Sequence, residues 1–135
     1  MKTFNTVKTA VLSTLLLLTF GCGYSSKPAP AVAGTMPAIS QLSPDAMNAG
    51  ASAFTLTVNG SNFAANAVVN WNSSAMNSTK YVSGNQLMVA IPASAVAAAG
   101  TVQVTVTNPA VAGSGPYGGG GTLAETSSAV TFTIN

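Results

Sequence analysis

From Met36 to Asn135 apolar and polar residues alternate with a period of two, in run after run. In "AFTLTVNG", Phe54, Leu56 and Val58 fall on one face and Thr55 and Thr57 on the other. "AVVNWNS" sets Ala67, Val69 and Trp71 against Val68, Asn70 and Asn72. "NQLMVAIP" groups Leu87, Val89 and Ile91, "TVQVTVTNP" groups Val102, Val104 and Val106, and "AVTFTIN" groups Val130, Phe132 and Ile134. Successive side chains of a strand point to opposite sides of its sheet, so each run predicts a strand with one buried face. Asn59-Gly60, Ser83-Gly84-Asn85, Pro92, Asn108-Pro109 and the glycine cluster after it are turn formers, expected to separate the strands. Only "PASAVAAAG" (92–100) carries a helical signal, one or two turns opened by Pro92 and ended by Gly100. Short alternating strands at this spacing predict an all-β sandwich or barrel. Its candidate core is Phe54, Phe63, Val69, Trp71, Leu87, Ile91, Val104 and Phe132. Trp71 is in register with Val69, which makes it a core tryptophan rather than an exposed platform for a sugar.

The N-terminal stretch follows a different rule. Lys2 and Lys8 precede "AVLSTLLLLTF", an apolar run too short to span a bilayer, which takes about twenty residues. A positive start, a short apolar centre and small residues after it describe a signal peptide, and hence export. Cys22, the only cysteine, sits where that run stops. It has two readings. In one it is incidental beside a plain signal-peptidase cut. In the other, "TFGC" resembles the lipobox of bacterial lipoproteins, which implies a diacylglyceryl group on the Cys22 thiol and cleavage before it. Gly21 fits that pattern, while Leu18 stands one position off it. "GYSSKPAPAVAGT" then reads as a Ser/Pro/Ala tether. The expected division is a signal peptide over 1–21, lipidated Cys22 with its tether over 22–35, and the β domain over 36–135. Lipidation implies a membrane partner and an outer-membrane or surface location, with two or three acyl chains giving durable anchorage where one does not.

The order of the β segments adds a family. "PAISQLSPDAMNAG", "FTLTVNGSNF", "VVNWNS", "TKYVSGNQLMVAIPAS", "GTVQVTVTNP" and "SSAVTFTI" follow one another as they do in IPT/TIG domains, which residues 37 to 134 closely resemble. Pro44, Gly60, Phe63, Trp71 and Asn108-Pro109 stand where that pattern places them. The resemblance implies an immunoglobulin-like sandwich of two antiparallel sheets with about seven strands. The last loop, "AVAGSGPYGGGGTLAE", is longer than in the family, and its role is left open.

Composition removes most chemistry. The 135 residues include no histidine, four Lys or Arg and two Asp or Glu, so charged residues are 4 %. From Cys22 onward Lys27 and Lys80 balance Asp45 and Glu125, leaving no basic cluster to displace counterions from a nucleic acid. Zinc lacks imidazoles and calcium lacks carboxylates, so no metal and no cofactor are expected. "GSGPYG" (113–118) matches a dinucleotide fingerprint in letters only, because Pro116 and more glycine follow it where a helix is required. Asp45, Lys80 and Glu125 read as solvated charges near strand ends, and no catalytic residue is assigned. Three readings of function follow. The first is a non-enzymatic, envelope-anchored module for protein–protein interaction, adhesion or scaffolding. The second is a carbohydrate-binding module with Tyr117 as its ligand contact. An enzyme is the third. A Thr/Val-rich edge strand without charged guards would offer strand addition as one route of association. Ligand identity and oligomeric state are not legible.

Overall fold

A computed structural model describes residues 29–114 and 119–135. Cys22, the signal segment and Tyr117 lie outside the described residues. Strands are β1 (Ala38–Ser43), β2 (Ala46–Met47), β3 (Phe54–Ser61), β4 (Val68–Trp71), β5 (Ser74–Ala75), β6 (Lys80–Ser83), β7 (Gln86–Ile91), β8 (Gly100–Asn108), β9 (Glu125–Thr126) and β10 (Val130–Ile134). Seven of them have four or more residues. One sheet has the order β1-β3-β7-β6; the other has β2-β10-β8-β4-β5, with β9 on β8. The chain changes sheets between β1 and β2, at Ser43-Pro44, a cis peptide. All strand pairs are antiparallel except β2 with β10, which run parallel. β9 and β10 act as one strand against β8: Thr126 pairs with Thr107 but Val130 with Val104, so one extra residue bulges between them.

The alternation places the core where the sequence predicts. Leu56 and Val58 from β3, Leu87, Val89 and Ile91 from β7, Val69 from β4, Val104 and Val106 from β8, and Phe132 from β10 are almost wholly buried between the sheets. Trp71 and Phe63 are buried as well. The Phe132 ring lies at the centre of an aromatic group, its centroid 5.0 Å from that of Trp71 and 5.8 Å from that of Phe54. Phe54 itself is only half-buried, because it opens β3 at the rim of the sandwich.

Three local expectations change. Asn59-Gly60 is not a turn: β3 runs through it, and Gly60 pairs with Ile39. A Cβ on Gly60 would sit 1.9 Å from the Ala38 carbonyl oxygen and 2.6 Å from the Phe63 ring, so glycine is needed there for close approach rather than for a bend. The left-handed residue that ends this strand is Asn62, with φ 61°. The run at 67–73 stops at Trp71, because Asn72 and Ser73 (φ 48° and 69°) form the two-residue loop that folds β5 back onto β4. Asn suits such a loop and Ser does not, so Ser73→Gly is expected to raise stability by roughly 1 kcal/mol, read as a higher urea midpoint. The helical stretch shrinks to a single 3-10 turn, Ala93–Val96, whose Val96 plugs one end of the core.

Candidate interaction surface

The two ends of the sandwich differ. β8 begins at Gly100, opposite Ile134 and the C-terminus, and ends about 27 Å away at Asn108, opposite Glu125. At the Asn108 end the chain enters the domain, and three loops meet. The Asn108 side chain, 7 % exposed, joins them. Its Nδ2 donates to the carbonyls of Thr35 and Asn62, each at 2.8 Å, and its Oδ1 accepts from the Ala64 amide at 3.0 Å. Sequence reading takes this asparagine as a turn former. Polar and placed at a strand end, it gives no sequence signal of burial.

The long loop after β8 is built around a short ribbon. Thr122 exchanges both backbone hydrogen bonds with Val111, while Val32 donates to Gly121 and accepts from Leu123. Residues 29–35, the described part of the expected tether, therefore lie along this loop at Val32. At Gly113 and Gly121 a Cβ would run into the loop's own backbone, which accounts for glycine where its strands pass closely.

The outer faces of the two sheets offer different chemistry. On the second sheet, Asn70 Nδ2 donates to the hydroxyls of Thr105 and Thr107, Thr107 bonds Thr126, and Gln103 donates to Thr131. These uncharged groups satisfy one another. On the first sheet a shallow groove of about 240 Å³ is lined by Thr55, Ser78, Lys80, Met88, Val89 and Ala90. Met88 and Val82 are exposed on this face, whereas Tyr81, in register with the buried Leu87, lies on the opposite side of the edge strand. Ser78 Oγ donates to the Ala90 carbonyl at 2.9 Å and pins the loop before β6 against β7. Apolar side chains, one ammonium and hydroxyls thus share one face.

The strand-addition route loses its premise. The Thr/Val-rich strands β3 and β8 are interior. The outer strands β1 and β6 each carry a register irregularity, β6 opens with Lys80, and β2 and β5 have two residues each. Short, bulged or charged edges are poor templates for further pairing.

Among the described residues the two carboxylates stand far apart. Asp45 adjoins Ala46, which pairs with Thr133 and so lies near the Thr101 end of β8. Glu125 is at the Asn108 end, seven residues along that strand, or about 23 Å, far beyond the span of a carboxylate pair around a glycosidic bond. Among the described residues no three His, Cys, Asp or Glu group as metal ligands, and no helix is long and apolar enough to cross a membrane.

With that geometry in place, a comparison with family models matches residues 37–134 to the IPT/TIG domain. The match covers 98 of the 135 residues, and the chain belongs to that family. Its members are immunoglobulin-like, non-enzymatic modules often used in protein–protein interaction. No curated protein and no solved structure matches the chain.

Proposed function

We propose that this IPT/TIG chain is an exported module, lipidated at Cys22, that binds another protein at the bacterial cell envelope and performs no catalysis. The observation that carries the binding reading is the open face of the first sheet, where Met88 lines the groove with Lys80, and Val82, two residues on from Lys80, is exposed. Exposed apolar side chains next to a single charge are the materials of a protein interface. The second sheet is less suited, since its outer hydroxyls and amides already bond one another. Anchoring draws its support from the short apolar segment, from "TFGC" and from the position of the only cysteine.

The anchor is tested by the mass of mature protein recovered from the membrane fraction of a bacterial host. The expected mass begins at residue 22 and carries two or three acyl chains, and Cys22→Ser loses both anchor and added mass. An unmodified soluble product from both proteins would sink the lipoprotein reading. Binding is tested by a photo-cross-linking side chain at position 82 or, for comparison, at position 105 on the second sheet. A discrete protein adduct is expected from position 82 alone. Adducts from neither position, together with retention on a polysaccharide panel, would favour the carbohydrate reading.

A further inference from the structure

Among the described residues, four of the seven exposed large apolar side chains lie in two segments at one end of the sandwich: Val32 (59 % exposed), Met36 (59 %), Val111 (53 %) and Leu123 (53 %). The ribbon joins these segments. Val32 and Val111 both pair with Thr122 and so flank it on one face, while Leu123, the next residue, turns to the other. Such a ribbon is apolar on both sides. A flat protein partner would cover one side and leave the other wet, whereas a medium that surrounds the ribbon covers both. The backbone is prepared for such a medium. Thr122 has its N–H and C=O bonded to Val111, and Val32 has both of its groups bonded to the Gly121–Leu123 strand. Satisfied amides remove the main cost of entering a poorly hydrated layer.

Charge and covalent reach point the same way. Of the described charged residues, Lys80 pairs with Met88 on the groove face and Asp45 adjoins β2 at the other end of the sandwich, so Glu125 at the base of the loop is the one beside the ribbon. Cys22 is ten residues before Val32, so the backbone between them spans at most about 35 Å. An anchor at residue 22 holds this end of the domain near its attachment, with the C-terminal end about 27 Å further along β8.

We propose that the Val32–Thr122–Val111 ribbon, with Leu123, is a foot that enters the interfacial layer of a phospholipid bilayer when the chain is anchored at residue 22. The idea rests on the anchorage proposed above and adds an orientation. The loop end faces the membrane, and the groove face of the first sheet stands roughly upright beside it, open to a partner. With so few charges, the contact is driven by apolar burial and is indifferent to salt.

The test couples the mature chain, residues 22–135, through the Cys22 thiol to a maleimide phospholipid in phosphatidylcholine vesicles. The reference is the same chain coupled to a soluble maleimide polymer, so an anchor is supplied whatever the cell does at Cys22. Amide hydrogen exchange is then read by mass spectrometry. The expected result is several-fold slower exchange over 29–36 and 119–124 on vesicles, unchanged exchange over 48–53, and the same contrast at low and high salt. Val111→Ser combined with Leu123→Ser should abolish the contrast while leaving the circular dichroism spectrum intact; Val32→Ser serves the same purpose should the double variant not fold. Equal exchange on vesicle and polymer, or equal slowing at both ends of the domain, would overturn the proposal. Slowing that occurs in native envelopes but not on bare vesicles would overturn the lipid assignment and give the ribbon to a protein. Failure of the Cys22 mass measurement would leave this result standing, so the two readings fail separately.

Discussion

Trp71→Ala is expected to lower the unfolding free energy by about 3–5 kcal/mol, the range for removing a large aromatic side chain from a packed core. Trp71 is 6 % exposed, and its ring centroid is 5.0 Å from that of Phe132 at an interplanar angle of 55°. Tilted pairs of this kind contribute about 0.5–1.5 kcal/mol beyond the area they bury. The alanine variant therefore loses the buried surface, the pair, and the support that holds Phe132 between the sheets. A domain of this size has about 5–15 kcal/mol in total, so the variant retains its fold with little margin. Trp71→Phe keeps a ring at the site and should cost much less. Since Trp71 is the only tryptophan, urea unfolding is followed by far-ultraviolet circular dichroism in both variants. A loss under about 1 kcal/mol for the alanine variant would mean that the site is solvated, as a sugar platform would be.

Asn108→Ala has the second-largest expected effect, about 2–4 kcal/mol. The side chain makes three hydrogen bonds at 2.8–3.0 Å, and its removal strands the Ala64 amide and the carbonyls of Thr35 and Asn62. A buried group left without its partner costs about 1–3 kcal/mol, more than the bond itself contributes. The loss is local in character. Thr35 belongs to the entering segment and Asn62 and Ala64 to the loop after β3, so exchange over 29–36 and 62–67 should accelerate before the sheets open. Asn108→Asp is the sharper control. It matches the shape, but an acceptor then faces the Thr35 and Asn62 carbonyls, so it should cost at least as much as alanine. Equal stability of the aspartate variant and the wild type would show that the side chain does not bridge these loops.

Gly60 shows how the sequence can name the right residue for the wrong reason. Asn59-Gly60 has the letters of a hairpin turn, and period-two alternation ends there. In the fold β3 continues to Ser61, and Gly60 is glycine because the Ala38 carbonyl and the Phe63 ring leave no room for a Cβ. A positive φ and a close approach both select glycine, and a sequence does not distinguish them. Ser73 is the converse case, a left-handed residue hidden by its chemistry.

Taken alone, the alternation determined an all-β fold with one dry face per strand, and the family resemblance implied the sandwich. Alternation placed Leu56, Val58, Val69, Leu87, Val89, Ile91, Val104, Val106 and Phe132 on inward faces, because pleating sends neighbours to opposite sides and one side must be dry. The sequence also shows that no imidazole is available, since the chain holds no histidine. Tertiary structure alone decided which strands are edges, that Asn108 ties three segments, that Val32 joins the loop after β8, and that the groove opens on the first sheet rather than the second. Each of these depends on residues far apart in the chain meeting with a particular register. Local pattern fixes which way a side chain points, but not what stands opposite it.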